Sequence, residues 1–467
     1  MTGGIAVARW TAGSAAGIVG AELLGDGTAG FDAVTTDSRE SREGIAFFAL
    51  DGTRVRGVQF VPLAFGTGCS VVVVPRDWEG EVPPGRAALR VADPREALAA
   101  LAVRVRESWR CPVIAVTGSS GKTTVKEMTA HVLEARGPVL RSPGNFNTVE
   151  GLARTLLEVN VPPDRAVLEV GASRPGEIAR LARIVRPTAA CVTNVGPAHL
   201  SGFGGVAQVA REKTDLLRAV AGGGLRVVDG DDELLLGAAA GLELLRVGFG
   251  AANDLRATDV DAGPRGTRFR IASGPRAELA VPGAHQVKNA LVAVAFGRAH
   301  GVPLEEGVER LRTFTGVPGR LAVLDLRGVL VADDAYNANP SSVRAALEWF
   351  ARIGTPGRRA VVLGDMLELG ERSADYHREI GVAVAAASPD LAVFVGPESR
   401  AGFEEASRRA GAVQVRWASD SAEAAAFVAG WAAPGDAVLV KGSRGMRMER
   451  VVRALAGDGG EGTGHAL

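Results

Sequence analysis

Short apolar runs alternate along this chain with stretches in which apolar residues recur every three or four positions, a pattern that predicts β-strands interleaved with amphipathic α-helices. Candidate strands fall at 114–117, 166–168, 189–193, 329–332, 360–363 and 437–440. Each run gives way at once to polar residues. The first ends in Gly118-Ser119-Ser120-Gly121-Lys122-Thr123-Thr124, the second in Glu169, and the third in Asn194 with His199 close behind. The later three end in Asp333-Asp334, Gly364-Asp365 and Lys441-Gly442-Ser443. Polar residues beyond the carboxyl ends of parallel strands are where open α/β sheets bind ligands, so the pattern predicts binding rims rather than scattered surface charge.

Two breaks in the pattern suggest domain boundaries. A Pro/Gly-rich stretch over 82–93 precedes an expected helix at 94–109, and Phe-Thr-Gly-Val-Pro-Gly at 314–319 separates a helix from a fresh series of strands. The expected fold class is α/β in three domains: 1–93, 94–318 and 319–467. The first is small and mixed, with strands at 33–37, 45–50 and 71–74, and the second carries a mainly parallel sheet. No internal repeat is evident, and 456–467 has no apolar periodicity and is expected to be disordered.

Composition narrows the classes of partner. With 467 residues, 46% hydrophobic and 23% charged, the chain can bury several cores, and its formal net charge of zero argues against a nucleic-acid or anionic-membrane partner recognised by bulk charge. Cys69, Cys111 and Cys191 lack metal-type spacing and suit reduced thiols of a cytoplasmic protein. The first ten residues have no basic start followed by an apolar core, and no 18-residue apolar span occurs, so neither secretion nor membrane insertion is expected.

The segment after the strand at 114–117 is a polyphosphate cradle. Gly118 and Gly121 allow close backbone approach, successive N–H groups and a helix N-terminus face the anion, Lys122 supplies a cation and Thr123 a hydroxyl for Mg²⁺. The predicted ligand is a nucleotide triphosphate. Val116 stands where a full Walker sequence requires Gly, so the loop is a shortened form. Lysine is rare here, five against 48 arginines, which gives each lysine weight. Glu169 is a candidate to complete a Mg²⁺ shell, the alternative being a solvated strand-end carboxylate. His199 is a candidate metal or phosphate ligand, the alternative being a structural loop histidine. Lys213 shares a helical face with Val209, Leu216 and Leu217 and is expected to be buried. An ammonium there must pair, snorkel, lose its proton or be converted, for instance to a carbamate.

Taken together these motifs resemble the Mur ligase family. The shortened loop matches 117–124, the strand-end Glu and following Gly match Glu169 and Gly171, and Thr-Asn-x-x-x-x-His-Leu-x-Gly-Phe matches 193–203. The lysine that the family carbamylates falls on Lys213. Within the family, Asp-x-Tyr-Asn-Ala-Asn-Pro at 334–340, VLGDMLELGE at 362–371 and VKGSRGMRM at 440–448 resemble the branch that joins D-alanyl-D-alanine to UDP-N-acetylmuramoyl-tripeptide. Folylpolyglutamate synthases share the loop and the carbamate but lack these three strings. A Mur-like binding protein that has lost catalysis would not be expected to keep Lys122, Glu169 and Lys213 together.

The resemblance implies a UDP-binding N-terminal domain, a central P-loop-type ATPase domain and a Rossmann-like C-terminal domain, acting as a cytoplasmic monomer. It implies ATP held by Gly118, Ser119, Ser120, Gly121, Lys122, Thr123 and Thr124, with Asn289 of His285-x-x-x-Asn289 near adenine and Arg320 and Asp334 reaching the nucleotide. Two Mg²⁺ ions are implied at Thr123, Glu169, His199 and carbamylated Lys213, with Lys122, Glu169, His199 and Lys213 as the catalytic set. Asp37, Ser38 and Arg39 are implied on the uridine side. Asn145, Asn147, Thr148, Tyr336, Asn337 and Asn339 are implied on the remaining substrate. The chain departs from the family near Arg54–Gly57, at Asp215 where Glu is usual, and at Ala284 where Arg often stands.

Overall fold

The computed structural model describes residues 10–52 and 54–457. Among these, three large sheets follow one another along the chain. The first has five strands in the order Glu22–Gly25, Ala87–Val91, Val71–Pro75, Ile45–Phe48, Ala33–Thr35, parallel except for the pair that opens it. Two of these strands were not anticipated. Glu22–Gly25 is a largely exposed edge strand without apolar alternation, and Ala87–Val91 occupies part of the stretch expected to be a Pro/Gly-rich boundary. Only 82–86 behaves as a break. Beyond it Ala87, Ala88 and Leu89 are completely buried, because small side chains suit a strand hemmed in on both faces.

The second sheet has nine strands, in the order Arg276–Leu279, Thr267–Ile271, Leu255–Ala262, Leu245–Gly248, Arg226–Asp229, Ala189–Val192, Val113–Thr117, Ala166–Glu169, Leu140–Arg141. The seven from Leu255–Ala262 to Leu140–Arg141 are parallel, and the other two add antiparallel at one edge. Every residue of Val113–Thr117 is buried, and its alternate side chains serve two different cores. Val113 and Ala115 pack with Leu152, Leu181 and Val209, while Ile114 and Val116 pack with Val125, Met128 and Leu291. Helices therefore cover both faces of the sheet. The helix Pro94–Glu107, capped by Asp93 accepting from the Arg95 N–H, leaves the first sheet and packs on Val149–Leu157.

The third sheet runs Ala322–Leu326, Val329–Asp334, Ala437–Lys441, Arg359–Gly364, Leu391–Val395, Gln414–Ala418, and only its first pair is antiparallel. The last helix, Glu449–Ala456, ends at Gly457 with φ 92°. Residue 456, expected to open a disordered tail, instead ends this helix, and 458–467, where the rest of that expectation falls, lie outside the described residues. Registers within the sheets bring the polar strand ends to one edge. Glu169 pairs with Val116, Thr117 with Val192, and Asp334 with Lys441. No helix among the described residues is long and apolar enough to cross a membrane.

Candidate active site

Where the carboxyl edges of the second and third sheets face each other lies a cavity of about 860 Å³, lined by the phosphate loop, Asn145, Asn147, Thr148, Glu169, His199, Asn289, Arg320, Asp334 and the 336–339 segment. Gly118 (φ 152°) and Gly121 (φ 80°) adopt the left-handed backbone that the loop needs. A Cβ on Gly118 would lie 1.8 Å from Thr193 Oγ1, so only glycine fits. The Thr193-Asn194 turn grips the loop. Thr193 Oγ1 donates to the Ser120 carbonyl at 2.5 Å, Ser120 N donates to Asn194 Oδ1 at 3.0 Å, and Ser119 N donates to the Asn194 carbonyl at 3.0 Å. The helix Lys122–Leu133 starts at once, aiming its N-terminal N–H groups and positive dipole end at the cavity. Lys122 Nζ folds back to the Gly118 carbonyl at 2.9 Å, and desolvation lowers its pKa.

Beside the loop, Thr123 Oγ1 donates to Glu169 Oε2 at 2.8 Å, and Asn147 Nδ2 donates to Glu169 Oε1 at 2.8 Å. Arg320 Nη2, from the start of the third sheet, reaches Thr123 Oγ1 at 3.3 Å. Thr123 and Asn147 thus meet on one carboxylate that is 1% exposed, with Arg320 reaching it through Thr123. His199 is turned elsewhere, its Nδ1 hydrogen-bonded to Glu368 Oε2 of the third sheet's rim. Lys213 is 1% exposed among Val209, Leu216 and Leu217, as its helical spacing predicted. It forms no hydrogen bond or ion pair among the described residues and is not part of the cavity lining. Burial, then the neighbouring Lys122 charge, pushes its pKa down to about 7. Among the described residues no three or more His, Cys, Asp or Glu side chains cluster as a ready-made metal cage.

Sequence reasoning passed over Lys126, one helical turn beyond Lys122. It is wholly buried, donates to the carbonyls of Ser142 (2.5 Å) and Gly144 (2.9 Å), and lies 2.9 Å from Glu127 Oε1. It anchors the loop that carries Asn145 and Asn147 and ends at Thr148, whose side chain caps Val149–Leu157. Ser142 Oγ also accepts from the Glu169 N–H at 3.1 Å. Lys288, Asp229 and Phe249 were likewise missed. Lys288 Nζ bonds both Asp229 oxygens at 2.8 Å and stands 5.2 Å from the Phe249 ring centre, and all three line the cavity. The rarity of lysine was the available signal for Lys126 and Lys288, since all five lysines hold defined internal partners or buried positions. At the same end, Asn289 Nδ2 donates to Gln286 Oε1 at 2.8 Å, and its Oδ1 lies 3.0 Å from where a Cβ on Gly121 would stand.

The facing wall comes from the third sheet. Lys441 Nζ bonds Asp334 Oδ2 at 2.6 Å and the Asn337 carbonyl at 3.0 Å, while Asp334 Oδ1 accepts from Leu321 N at 3.1 Å. Arg320 stacks on Tyr336, 3.9 Å from guanidinium carbon to ring centre, with Arg444 at 5.3 Å from the same ring. Desolvation brings the His285 pKa down to about 4 despite the nearby Asp334, so its imidazole is neutral at pH 7. The helix expected at Ser341-Ser342 starts at Pro340, because Pro suits the first helical position and Asn339 supplies the cap. Asn339 also contacts the phosphate loop. The uridine-side candidates stand apart: Asp37, Ser38 and Arg39 do not line this cavity, Ser38 is buried, and Asp37 pairs with Arg39 while capping a short 3₁₀ turn.

Two family models match the chain, the Mur ligase middle domain over residues 116–297 and the Mur ligase glutamate ligase domain over 319–444. The UDP-N-acetylmuramoyl-tripeptide--D-alanyl-D-alanine ligase of Escherichia coli strain K12 is 37% identical over 441 residues, 92% of this chain and 94% of its own length. The protein of that name from Bacillus subtilis strain 168 is 33% identical over 428 residues, covering 90% and 92%. Among solved structures, MurF from Acinetobacter baumannii superposes with a TM-score of 0.87 at 33% identity, covering 97% of this chain and all of that one. The MurF ligase from Thermotoga maritima in complex with ADP gives 0.80 at 30% identity, covering 91% and 97%. These matches run through both walls of the cavity, and on them the chain belongs to the Mur ligase family.

Proposed function

We propose that this chain is an ATP-dependent amide ligase that joins D-alanyl-D-alanine to UDP-N-acetylmuramoyl-tripeptide, completing the UDP-muramyl-pentapeptide precursor of peptidoglycan. The observation that carries the reading is the two-walled cavity: a phosphate loop with Glu169 on one side, and Asp334, Lys441 and the 336–339 segment on the other. That arrangement suits a reaction in which a phosphoryl donor and an acceptor carboxylate must meet away from water. The full-length relatives with this activity in their names agree with it.

The residues carry the reaction in a definite order. Gly118 to Thr124 present backbone N–H groups to the triphosphate, and Lys122 exchanges the Gly118 carbonyl for phosphate oxygens. Arg320 and Lys122 neutralise charge as the γ-phosphoryl passes to the terminal carboxylate of the tripeptide, giving an acyl phosphate and ADP. The Asn145–Thr148 loop, held by Lys126, orients that carboxylate toward the phosphoryl group. The free amine of D-alanyl-D-alanine then attacks the acyl carbon, and the tetrahedral species expels inorganic phosphate to leave the amide. Asp334, paired with Lys441, and Asn289 fix the nucleotide from opposite walls.

Thr123 Oγ1 and Glu169 Oε2, 2.8 Å apart beside the phosphate loop, are hard oxygen donors of the kind that Mg²⁺ takes alongside substrate phosphates. In our reading Thr123, Glu169, His199 and carbamylated Lys213 would hold two Mg²⁺ ions, which supply neutralisation of the phosphate charge. The unpaired, buried Lys213 amine supports the carbamate, because a pKa near 7 leaves much of it neutral and nucleophilic toward CO₂. We assign 1–93 to the UDP moiety through Asp37, Ser38 and Arg39, 94–318 to ATP, and 319–467 to closure and the amine substrate. Tyr336 and Asn337 face that substrate. We place the reaction in the cytoplasm and the chain as a monomer.

ADP release measured with UDP-muramyl-tripeptide, with and without D-alanyl-D-alanine, tests the proposal. Sustained release is expected only with both substrates. Turnover with glutamate and a folate instead, or none with either pair, would overturn it.

A further inference from the structure

Asn339 uses both ends of its amide. Its Oδ1 accepts from the Ser342 N–H at 2.9 Å, and Ser342 Oγ accepts from the Asn339 N–H at 3.1 Å, a reciprocal cap that starts the helix Pro340–Phe350. Its Nδ2 points the other way, across the gap between the second and third sheets. It donates to Ser120 Oγ at 2.9 Å and to the Ser119 carbonyl at 3.3 Å, both in the phosphate loop. One residue later but one, Ser341 stands so close to the Thr193–Gly196 turn that a Cβ on Gly196 would lie 2.9 Å from its Oγ. The first turn of this helix therefore seats on the two segments that shape the phosphate site.

We propose that Asn339 is a positioning residue that locks the third domain onto the phosphate loop, bringing Asp334, Lys441 and Arg320 into register with ATP, rather than a contact of the substrate. The inference rests on the amide-ligase reading. The physical basis is that the amide is rigid: with Oδ1 fixed by the cap, Nδ2 has one direction left, and that direction is occupied by loop oxygens. The contact is made while the Ser120 carbonyl is held on Thr193, so the proposal couples closure of the third domain to the shape of the loop. Helix capping alone does not require the second contact, since Ser or Asp caps equally well.

That equivalence supplies the test. Asn339→Ser keeps a capping oxygen but is too short to reach Ser120, and Asn339→Asp keeps both cap and length but has no donor. Both variants are expected to melt within a few degrees of the parent without nucleotide. In the ligase assay, kcat is expected to fall about tenfold, as for loss of a hydrogen bond worth about 1.4 kcal/mol, with KM for UDP-muramyl-tripeptide and for D-alanyl-D-alanine each within twofold. In small-angle X-ray scattering, a non-hydrolysable ATP analogue should compact the parent and not Asn339→Ser. Unchanged kcat with unchanged compaction would overturn the proposal, as would a rise in KM for either substrate with kcat intact, which would make Asn339 a substrate contact. The scattering experiment needs only nucleotide, so absent ligase turnover in the parent would count against the activity and leave the closure result to judge Asn339.

Discussion

The side chain of Lys126, wholly buried, holds the carbonyl oxygen of Ser142 at 2.5 Å and so ties the helix that begins in the phosphate loop to the loop that carries Asn145 and Asn147. Ser142 in turn binds the backbone of Glu169 through its hydroxyl. Phosphate loop, strand-end carboxylate and the 142–148 loop form one connected corner. In the proposed reaction such a corner would set the distance between γ-phosphoryl and acceptor, which catalysis by positioning requires.

Replacing Lys126 by Met removes the donor for two carbonyls and leaves Glu127 with Arg141 as its remaining cation. The expected cost is about 2–4 kcal/mol of stability, read as a lower denaturation midpoint, together with a several-fold higher KM for the muramyl peptide. Unchanged KM in a folded variant would detach Lys126 from substrate positioning.

Lys213 gives a pH dependence with a definite sign. Its pKa falls on folding from 10.5 to about 7, so between those values the unfolded chain binds the extra proton and this group's contribution to stability rises with pH. Below about 7 both states are protonated and its full penalty remains. Carbamate formation needs the neutral amine, so ¹³C-bicarbonate should give a carbamate NMR signal that grows as pH rises through about 7 and is absent in Lys213→Ala. That variant should lose most activity and regain part of it with added short carboxylic acids.

His199 (φ 54°) and Glu368 (φ 64°) both occupy the left-handed region and join the rims of the second and third sheets, with Ser201 N donating to the Glu368 carbonyl at 3.1 Å. The hydrogen bond from His199 holds the Glu368 carboxyl below its ordinary 4.5, so the contact contributes above that value and is lost as pH falls. Both side chains are partly exposed, which limits the contribution to under about 1 kcal/mol. Glu368→Gln should leave melting nearly unchanged and lower kcat a few-fold. A large drop in melting temperature would contradict a role confined to domain contact.

The three thiols should differ in reactivity. Cys69 and Cys191 are buried and Cys111 is partly buried, and burial raises the pKa of all three. A disulfide reagent at pH 8 should titrate one thiol slowly in the native protein and three after denaturation.

Much of this site was legible because its parts are local. The phosphate loop, Glu169 and the Asp334–Lys441 pair each follow an apolar run, and parallel registers bring such ends to one edge whatever the loops do. Lys213 was readable from helical spacing alone. The bond between His199 and Glu368 was not, since 169 residues separate them and neither carries a local sign of the other. Lys126 escaped because an exposed-face lysine and a buried one look alike until the loop at 142–144 is folded over it. The capping role of Asn339 can be read from Asn-Pro-Ser-Ser as a helix start, but its contact with Ser120 cannot, because that partner lies 219 residues away. The strand Ala87–Val91 was lost among prolines and glycines that end just before it.

In the proposed reaction the chain activates the tripeptide carboxylate by phosphorylation and passes it to D-alanyl-D-alanine. Its most direct test is mass spectrometry of the reaction with tripeptide labelled by ¹⁸O in its terminal carboxylate. The expected product is a UDP-muramyl-pentapeptide equal in mass to the two substrates less one ¹⁸O-labelled water, with one ¹⁸O recovered in inorganic phosphate. Pentapeptide formed with unlabelled phosphate, or ATP hydrolysed without pentapeptide, would contradict it.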